Sequence, residues 1–389
     1  MELAFPHTSY LAPSISRLIL SHLVPGTSHL KGMRNLPVDL HIPVILGPMS
    51  GAGICTPELV AAVSNAGGLG TFAAQYLKPE TVDAALKRVR DLTEKPIALN
   101  FFSPNSQQPL SGDIDTQVQL LSPIHERLGL KPPSVPAGIE NYFDEYVELA
   151  IDHHVPILSF TMGVIPGHVV DRLHSAGAFL IGTATTVAEA RQLENLGMDA
   201  VIAQGAEAGG HRGSFTTDTP ALVGTMALVP QVADAVQVPV FASGGIMDGR
   251  GIVAALALGA TAVQMGTAFL TCKESGAAAV YKQAVMESAD DSTTLTRAFS
   301  GRWARGIRNE FIELSERSGA QPISFPWQNS LTGAMRESAA ERGEPGLLSL
   351  WAGQASPMTK EVGAHELMQE FESEIDAVEA RLFAKRAHS

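Results

Sequence analysis

Between residues 42 and 270 the chain alternates short β-branched apolar runs with helical stretches, and the alternation repeats eight times. The strand candidates are Val44 to Pro48, Leu69 to Ala73, Pro96 to Phe101, Ile157 to Thr161, Phe179 to Thr183, Ala200 to Gln204, Pro239 to Ser243 and Ala262 to Thr267. These runs are apolar on both faces, as parallel strands covered on both sides must be, and eight such units is the number that closes a barrel. The helices between them carry local signals. Thr56-Pro57-Glu58 supplies an N-cap followed by a first-turn proline, and Asn65-Ala66-Gly67-Gly68 ends that helix. Lys78 to Leu92, Pro166 to Ala176, Thr186 to Leu196, Met226 to Val236 and Gly251 to Leu258 read in the same way, each closed by glycine or a turn. The expected fold is α/β: a (β/α)8 TIM barrel with a helical insertion after strand eight. A doubly wound open sheet is the alternative topology.

Two segments break the rhythm. Ser103 to Pro136 carries six prolines and is expected to wander over the surface as a long loop of the kind that covers sites. After the eighth strand, Ser275 to Pro345 reads as helices and turns with no strand pattern. Farther on, Leu367, Phe371, Ile375, Val378 and Leu382 recur at helical spacing within Glu361 to Phe383, which makes that stretch a cover for strand eight. The division this implies is a barrel of residues 1–272 completed by 346–389, with a helical subdomain at 273–345.

Charge narrows the partners. Lys+Arg 27 against Asp+Glu 40 leaves a net charge of −13, which argues against a nucleic-acid or anionic-membrane surface, because both select clusters of Lys and Arg. No apolar run approaches the ~18 residues of a membrane span, and no basic region precedes the apolar-leaning Leu11 to Val24, so a secretory signal is not expected. Cys55 and Cys272 are too few for a disulfide framework and point to a reducing, cytoplasmic setting; their apolar neighbours point to structural burial. No metal-ligating pattern stands out. The implied partner is a small molecule.

In a barrel of this kind the chemistry sits where strands end, at the C-terminal face. Strand seven ends in Ala242-Ser243-Gly244-Gly245-Ile246, and strand eight contains Gln264-Met265-Gly266-Thr267. Glycines there allow bare backbone amides to approach a ligand, and the loops after strands seven and eight are the common phosphate site of the fold. A tight turn is the plain alternative for either loop alone. Strand six leads into Gln204-Gly205-Ala206-Glu207-Ala208-Gly209-Gly210-His211-Arg212-Gly213. His211 is the catalytic candidate, because an imidazole at this face can accept a carbon-bound proton near neutral pH. Arg212 would draw an anion toward it, or would be a surface or ion-paired arginine. His153, His154, His168 and His174 lie on or beside helices and read as packing or surface residues.

Together, Gly47-Pro48-Met49, the run from Thr56 to Gly70, Asn100-Phe101-Phe102, the Glu207 to Gly213 loop, Ser243 to Ile246 and Gln264 to Thr267 resemble the FMN-dependent nitronate monooxygenases, formerly called 2-nitropropane dioxygenases. The resemblance covers roughly residues 40 to 310 and touches Leu350-Trp351-Ala352-Gly353-Gln354, which is similar to that family's late turn back toward the flavin. It implies a barrel that holds FMN through Met49, Asn100, Gln204, Gly209, Gly244, Gly245, Gln264, Met265, Gly266 and Thr267, with the family's catalytic histidine at His211. The implied reaction is oxidation of an alkyl nitronate, or a nitroalkane, by O2 to a carbonyl compound and nitrite, on a small anionic organic substrate. There is one departure: some members place a lysine just after strand five, where this chain reads Gly182-Thr183-Ala184-Thr185-Thr186. Flavin-dependent enoyl-ACP reductases carry a closely similar glycine-histidine loop, so an NAD(P)H-dependent reductase stays open, as does a pathway-specific flavin oxygenase on a larger substrate. A non-catalytic flavin-binding protein fits less well with Gln204 and His211 in place. An inosinate-type dehydrogenase would need a nucleophilic cysteine after strand six, and none occurs between Cys55 and Cys272.

Overall fold

The computed structural model describes residues 36–384 apart from 52 and 218. Through Ala257 the order is β1 (Val44–Leu46), α1 (Pro57–Asn65), β2 (Gly70–Ala73), α2 (Pro79–Leu92), β3 (Ile97–Phe102), α3 (Ile114–Arg127), α4 (Phe143–Asp152), β4 (Ile157–Thr161), α5 (Gly167–Ser175), β5 (Phe179–Ala184), α6 (Val187–Asn195), β6 (Ala200–Gln204), β7 (Gly210–His211), α7 (Thr225–Ala235), β8 (Val240–Ser243) and α8 (Gly249–Ala257). There follow β9 (Ala262–Met265), α9 (Thr267–Leu270), α10 (Ala279–Met286), β10 (Thr293–Thr296), β11 (Ala304–Ile307), α11 (Glu310–Ser318), α12 (Trp327–Leu331), α13 (Gly333–Arg342) and α14 (Ala364–Ala384).

Eight parallel strands, β1 to β6 with β8 and β9, form one sheet in the order β1-β9-β8-β6-β5-β4-β3-β2. The sheet closes on itself where Leu46 N donates to Leu69 O at 2.9 Å and Leu69 N donates to Val44 O at 3.0 Å. This is the expected TIM barrel. Local signals explain its helices: Thr56 caps α1 by accepting from Leu59 N with Pro57 at the first turn, Thr186 caps α6 and Asp248 caps α8. Side chains such as Leu46, Leu99, Leu158 and Val201 are fully buried in the main core between sheet and helices. The last helix, α14, packs on α8 and α1 through buried Leu367, Met368, Phe371 and Ile375. Gly249 is needed at that contact, because a Cβ there would lie 2.5 Å from Glu374 Cβ.

Two expectations need correction. The proline-rich stretch is not a wandering loop throughout: Asp113 accepts from Thr116 N and starts the fourteen-residue α3, which runs through Pro123. Leu121, Ile124 and Leu128 then bury against Phe299, Phe311, Ile323 and Met335 of the insertion, so α3 belongs to the insertion's core. The insertion itself is not purely helical. Its β10 and β11 pair as an antiparallel hairpin, and β11 pairs in turn with the two-residue β7, setting Ala304 opposite His211 and Arg305 opposite Gly210. These strands are short and threonine- or arginine-bearing, and their partner lies some ninety residues away, so no alternating pattern announces them.

Candidate active site

A cavity of about 620 Å³ opens at the C-terminal ends of the barrel strands, within the usual range for small-molecule sites of roughly 300–1,000 Å³. Sheet register builds its floor. Asn100 lies beside Ser159, Gln204 beside Ser243, and Ser243 beside Gln264, so one polar layer forms at the strand ends. Asn100 Nδ2 donates to Ser159 O at 3.0 Å and Ser159 Oγ at 2.9 Å, while its buried Oδ1 has no partner. An unpaired buried acceptor costs about 1–3 kcal/mol, so this oxygen is a poised acceptor for a donor in the cavity.

The glycine loops form the wall beside β8 and β9. Gly244 and Gly245 take φ of 115° and 73°, values in the region that favours glycine, so the chain can turn sharply here. Gly266 differs: a Cβ built there meets only Met49 Cγ, at 3.8 Å, so the face beside it is open. Gly209 is confined by Ala352 and Gly353, whose backbone a Cβ would approach to 2.5 Å. That contact belongs to the late turn, which is held by Gly353 N donating to Thr267 Oγ1 at 3.0 Å and Gln354 N donating to Glu207 O at 3.0 Å. The loops after β6 and β9 are thus braced against each other. Met49, Asn100, Gln204, Gly209, His211, Gly244, Gly245, Gln264, Met265, Gly266 and Thr267 all line this one cavity.

His211 enters from β7. Gln204 holds both sides of it: its Nε2 donates to His211 O at 3.1 Å and its Oε1 accepts from Gly213 N at 2.8 Å. The ring lies 5.6 Å from both Phe325 and Trp351 and 6.4 Å from Phe102, and its Nε2 is 2.8 Å from Ser300 Oγ. Burial among these rings pushes its pKa down to about 3, with the positive charges of Arg302 and Arg336 acting in the same direction. The imidazole is therefore neutral across physiological pH. Because the folded pKa lies below the unfolded value near 6.5, the unfolded chain takes up the proton first as pH falls, and stability is lost through that window. His211→Asn should therefore show a shallower fall of Tm between pH 6.5 and 4 than the wild type, measured by thermal melts at matched cofactor occupancy; parallel curves would show that the histidine is not held neutral.

Arg212 corrects an expectation. It is fully buried, donates to Gly205 O and to Gln204 O, and does not line the cavity. It fastens the end of β6 instead of meeting an anion. Among the described residues, the cation that lines the cavity is Arg336 of α13, whose Nη2 donates to Asn329 O at 2.6 Å and Asn329 Oδ1 at 3.0 Å. Tyr76 and Met162, with φ of 72° and 65°, also line it. Non-glycine residues in this backbone region are strained and concentrate at functional sites. Sequence reasoning passed over Ser300, Arg336 and Tyr76, because the first two sit in an insertion without a readable motif and the third in an ordinary turn. Cys55 and Cys272 are both buried, with thiol pKa values pushed up to about 12 by that burial, so neither serves as a nucleophile. Among the described residues there is no cluster of His, Cys, Asp and Glu able to hold a metal, and no helix long and apolar enough to cross a membrane.

The nitronate monooxygenase family model matches residues 35–374. A protein of Staphylococcus aureus strain Newman described as a probable nitronate monooxygenase is 42% identical over 344 residues, covering 88% of this chain and 96% of its own. Among solved structures, the nitroalkane oxidase of Streptomyces ansochromogenes superposes with a TM-score of 0.83 at 38% identity, over 88% of this chain and 98% of that one. FabK of Thermotoga maritima gives a TM-score of 0.70 at 30% identity, over 88% and 96% of the two chains.

Proposed function

This chain belongs to the nitronate monooxygenase family of flavin oxidoreductases, and from that premise we propose that it binds FMN and oxidises alkyl nitronates, and nitroalkanes once deprotonated, with O2 to carbonyl compounds and nitrite. The observation that carries this reading is the placement of a neutral histidine on the wall of a glycine-lined cavity that also holds an arginine. The residues fit FMN. The backbone amides of Gly245, Gly266 and Thr267, which line the cavity, would hold its phosphate, where the open side of Gly266 leaves room, and the orphaned Asn100 Oδ1 suits a ring N–H donor. Gln204 and Gln264 supply further amide groups on the cavity wall. FMN would provide the electron acceptor for an electron-rich anion.

The rest belongs to the chain's own side chains. His211, neutral and rigidly packed, takes the proton from the carbon beside the nitro group, which converts a nitroalkane to its nitronate. Arg336 supplies positive potential to the cavity, favouring the anion that results, and its guanidinium is fixed by Asn329. Phe102, Phe325 and Trp351 surround the histidine and exclude water from the point of proton transfer. The likeness to FabK makes an NAD(P)H-dependent reductase the second reading. Aerobic incubation with propionate 3-nitronate, followed by nitrite detection, separates the two when run beside an NADH oxidation assay. Nitrite without NADH consumption is expected, and rapid NADH oxidation without nitrite would overturn the proposal. Mass spectrometry of the chromophore released from the yellow protein should give FMN, and finding FAD would reject the single-phosphate site.

A further inference from the structure

Ser300 lies in the turn between β10 and β11, in the insertion, yet its Oγ is 2.8 Å from Nε2 of a histidine carried by the barrel. The serine is buried, 1% exposed, and its surroundings constrain the direction of that bond. Its hydroxyl can donate to Arg302 O at 3.1 Å, while the oxygen accepts from Arg302 N at 3.3 Å. With the proton placed there, one lone pair is left for His211 Nε2 to donate to. The turn that presents it is tightly specified: Gly301 takes φ of 83°, and a Cβ there would meet Ile323 O at 2.2 Å. The β7–β11 pairing, together with Arg212 N donating to Trp303 O at 2.8 Å, fixes the histidine's backbone to the same turn.

We propose that Ser300 is the positioning residue that holds His211 in the tautomer with the proton on Nε2, leaving the Nδ1 lone pair as the base. The assignment deepens the reading of His211 as the residue that deprotonates the substrate, and rests on it. Nδ1 makes no hydrogen bond among the described residues, and its side chain lines the cavity. A hydroxyl partner orients the ring without adding a charge, so the resting imidazole stays neutral. The insertion, and not the barrel, then determines which ring nitrogen faces the chemistry. In the proton-transfer step a substrate C–H bond breaks and an Nδ1–H bond forms, giving the imidazolium, while the Nε2 proton stays where Ser300 holds it.

The test is nitrogen NMR of flavin-loaded protein labelled with ¹⁵N in its histidine rings, with the His211 signals assigned by their loss in His211→Asn. The wild type should show a pyridine-type Nδ1 and a pyrrole-type Nε2; the reverse pattern would overturn the proposal without recourse to any Ser300 variant. Ser300→Ala should give averaged or reversed signals and cut turnover of neutral nitroalkane by about tenfold or more, within the ~10²–10⁴-fold reach of general-base catalysis. Ser300→Thr, which keeps the oxygen, should restore both. Unchanged signals and turnover in Ser300→Ala would also overturn it. The tautomer is read without turnover, so a wild type that shows the expected pattern but oxidises no nitro compound supports the Ser300 assignment while rejecting the proposed reaction.

Discussion

Replacing Gly266 by valine is expected to strip the flavin from a barrel that stays folded. The backbone at this position is right-handed, with φ of −101° and ψ of −64°, so a side chain adds no conformational strain. A Cβ there meets nothing in the protein nearer than Met49 Cγ at 3.8 Å, so the added methyl groups project into the cavity. If a phosphate occupies that space the two overlap, and overpacking of this kind costs about 1–3 kcal/mol, which corresponds to roughly 5- to 150-fold in affinity. Gly47 provides the contrast, because its Cβ would strike Gly266 Cα and N at 2.9 Å. Gly47→Ala should therefore disturb the loop itself and lower Tm, while Gly266→Val lowers flavin content with Tm of the flavin-free protein unchanged. The ratio of flavin to protein absorbance after gel filtration, alongside circular dichroism, reads both effects. Full flavin occupancy in Gly266→Val would mean that Gly266 serves only a turn.

The barrel was legible because each local signal agreed with the global one. Thr56 and Thr186 cap the helices that the sequence starts at those residues, and glycines follow helices where the chain must reverse. Strand counting then pointed to the candidate site, since closing the sheet brings every strand's C-terminal end to one face; that is why residues as far apart as Met49, Asn100, His211 and Thr267 share a cavity. What stayed hidden depends on contacts between distant segments. In α3, Pro123 looks like a helix breaker, and an interior proline does cost about 3 kcal/mol. The helix forms because Leu121, Ile124 and Leu128 find an apolar partner in the insertion, some two hundred residues later. Likewise, the β10–β11 hairpin extends onto the loop that carries His211. No period in its own sequence reveals that partner. Ser300 and Arg336 reach the site by the same route, from a segment whose residues bear no motif but whose fold returns them to the barrel mouth.

For the histidine itself, the expected result is a split between two substrates. His211→Asn should lose ~10² to 10⁴-fold in kcat/KM with neutral nitroalkane, the usual contribution of a positioned general base, while retaining far more activity with preformed nitronate. The reason is that the nitroalkane must surrender a C–H proton inside the cavity, whereas the nitronate has lost it in solution. Arg336 would still offer its charge to the anion in both cases, so binding is not what separates them. Asparagine keeps a polar group of similar reach, and the surrounding Phe102, Phe325 and Trp351 limit rearrangement around it. Flavin content of wild type and variant must be matched before rates are compared, because Gln204 ties the histidine's backbone to the cavity floor and a shift there would mimic a catalytic loss. Equal losses on both substrates would assign His211 to binding the anion or stabilising what forms from it. No loss on either would remove it from the chemistry and leave the cavity's other groups to explain turnover.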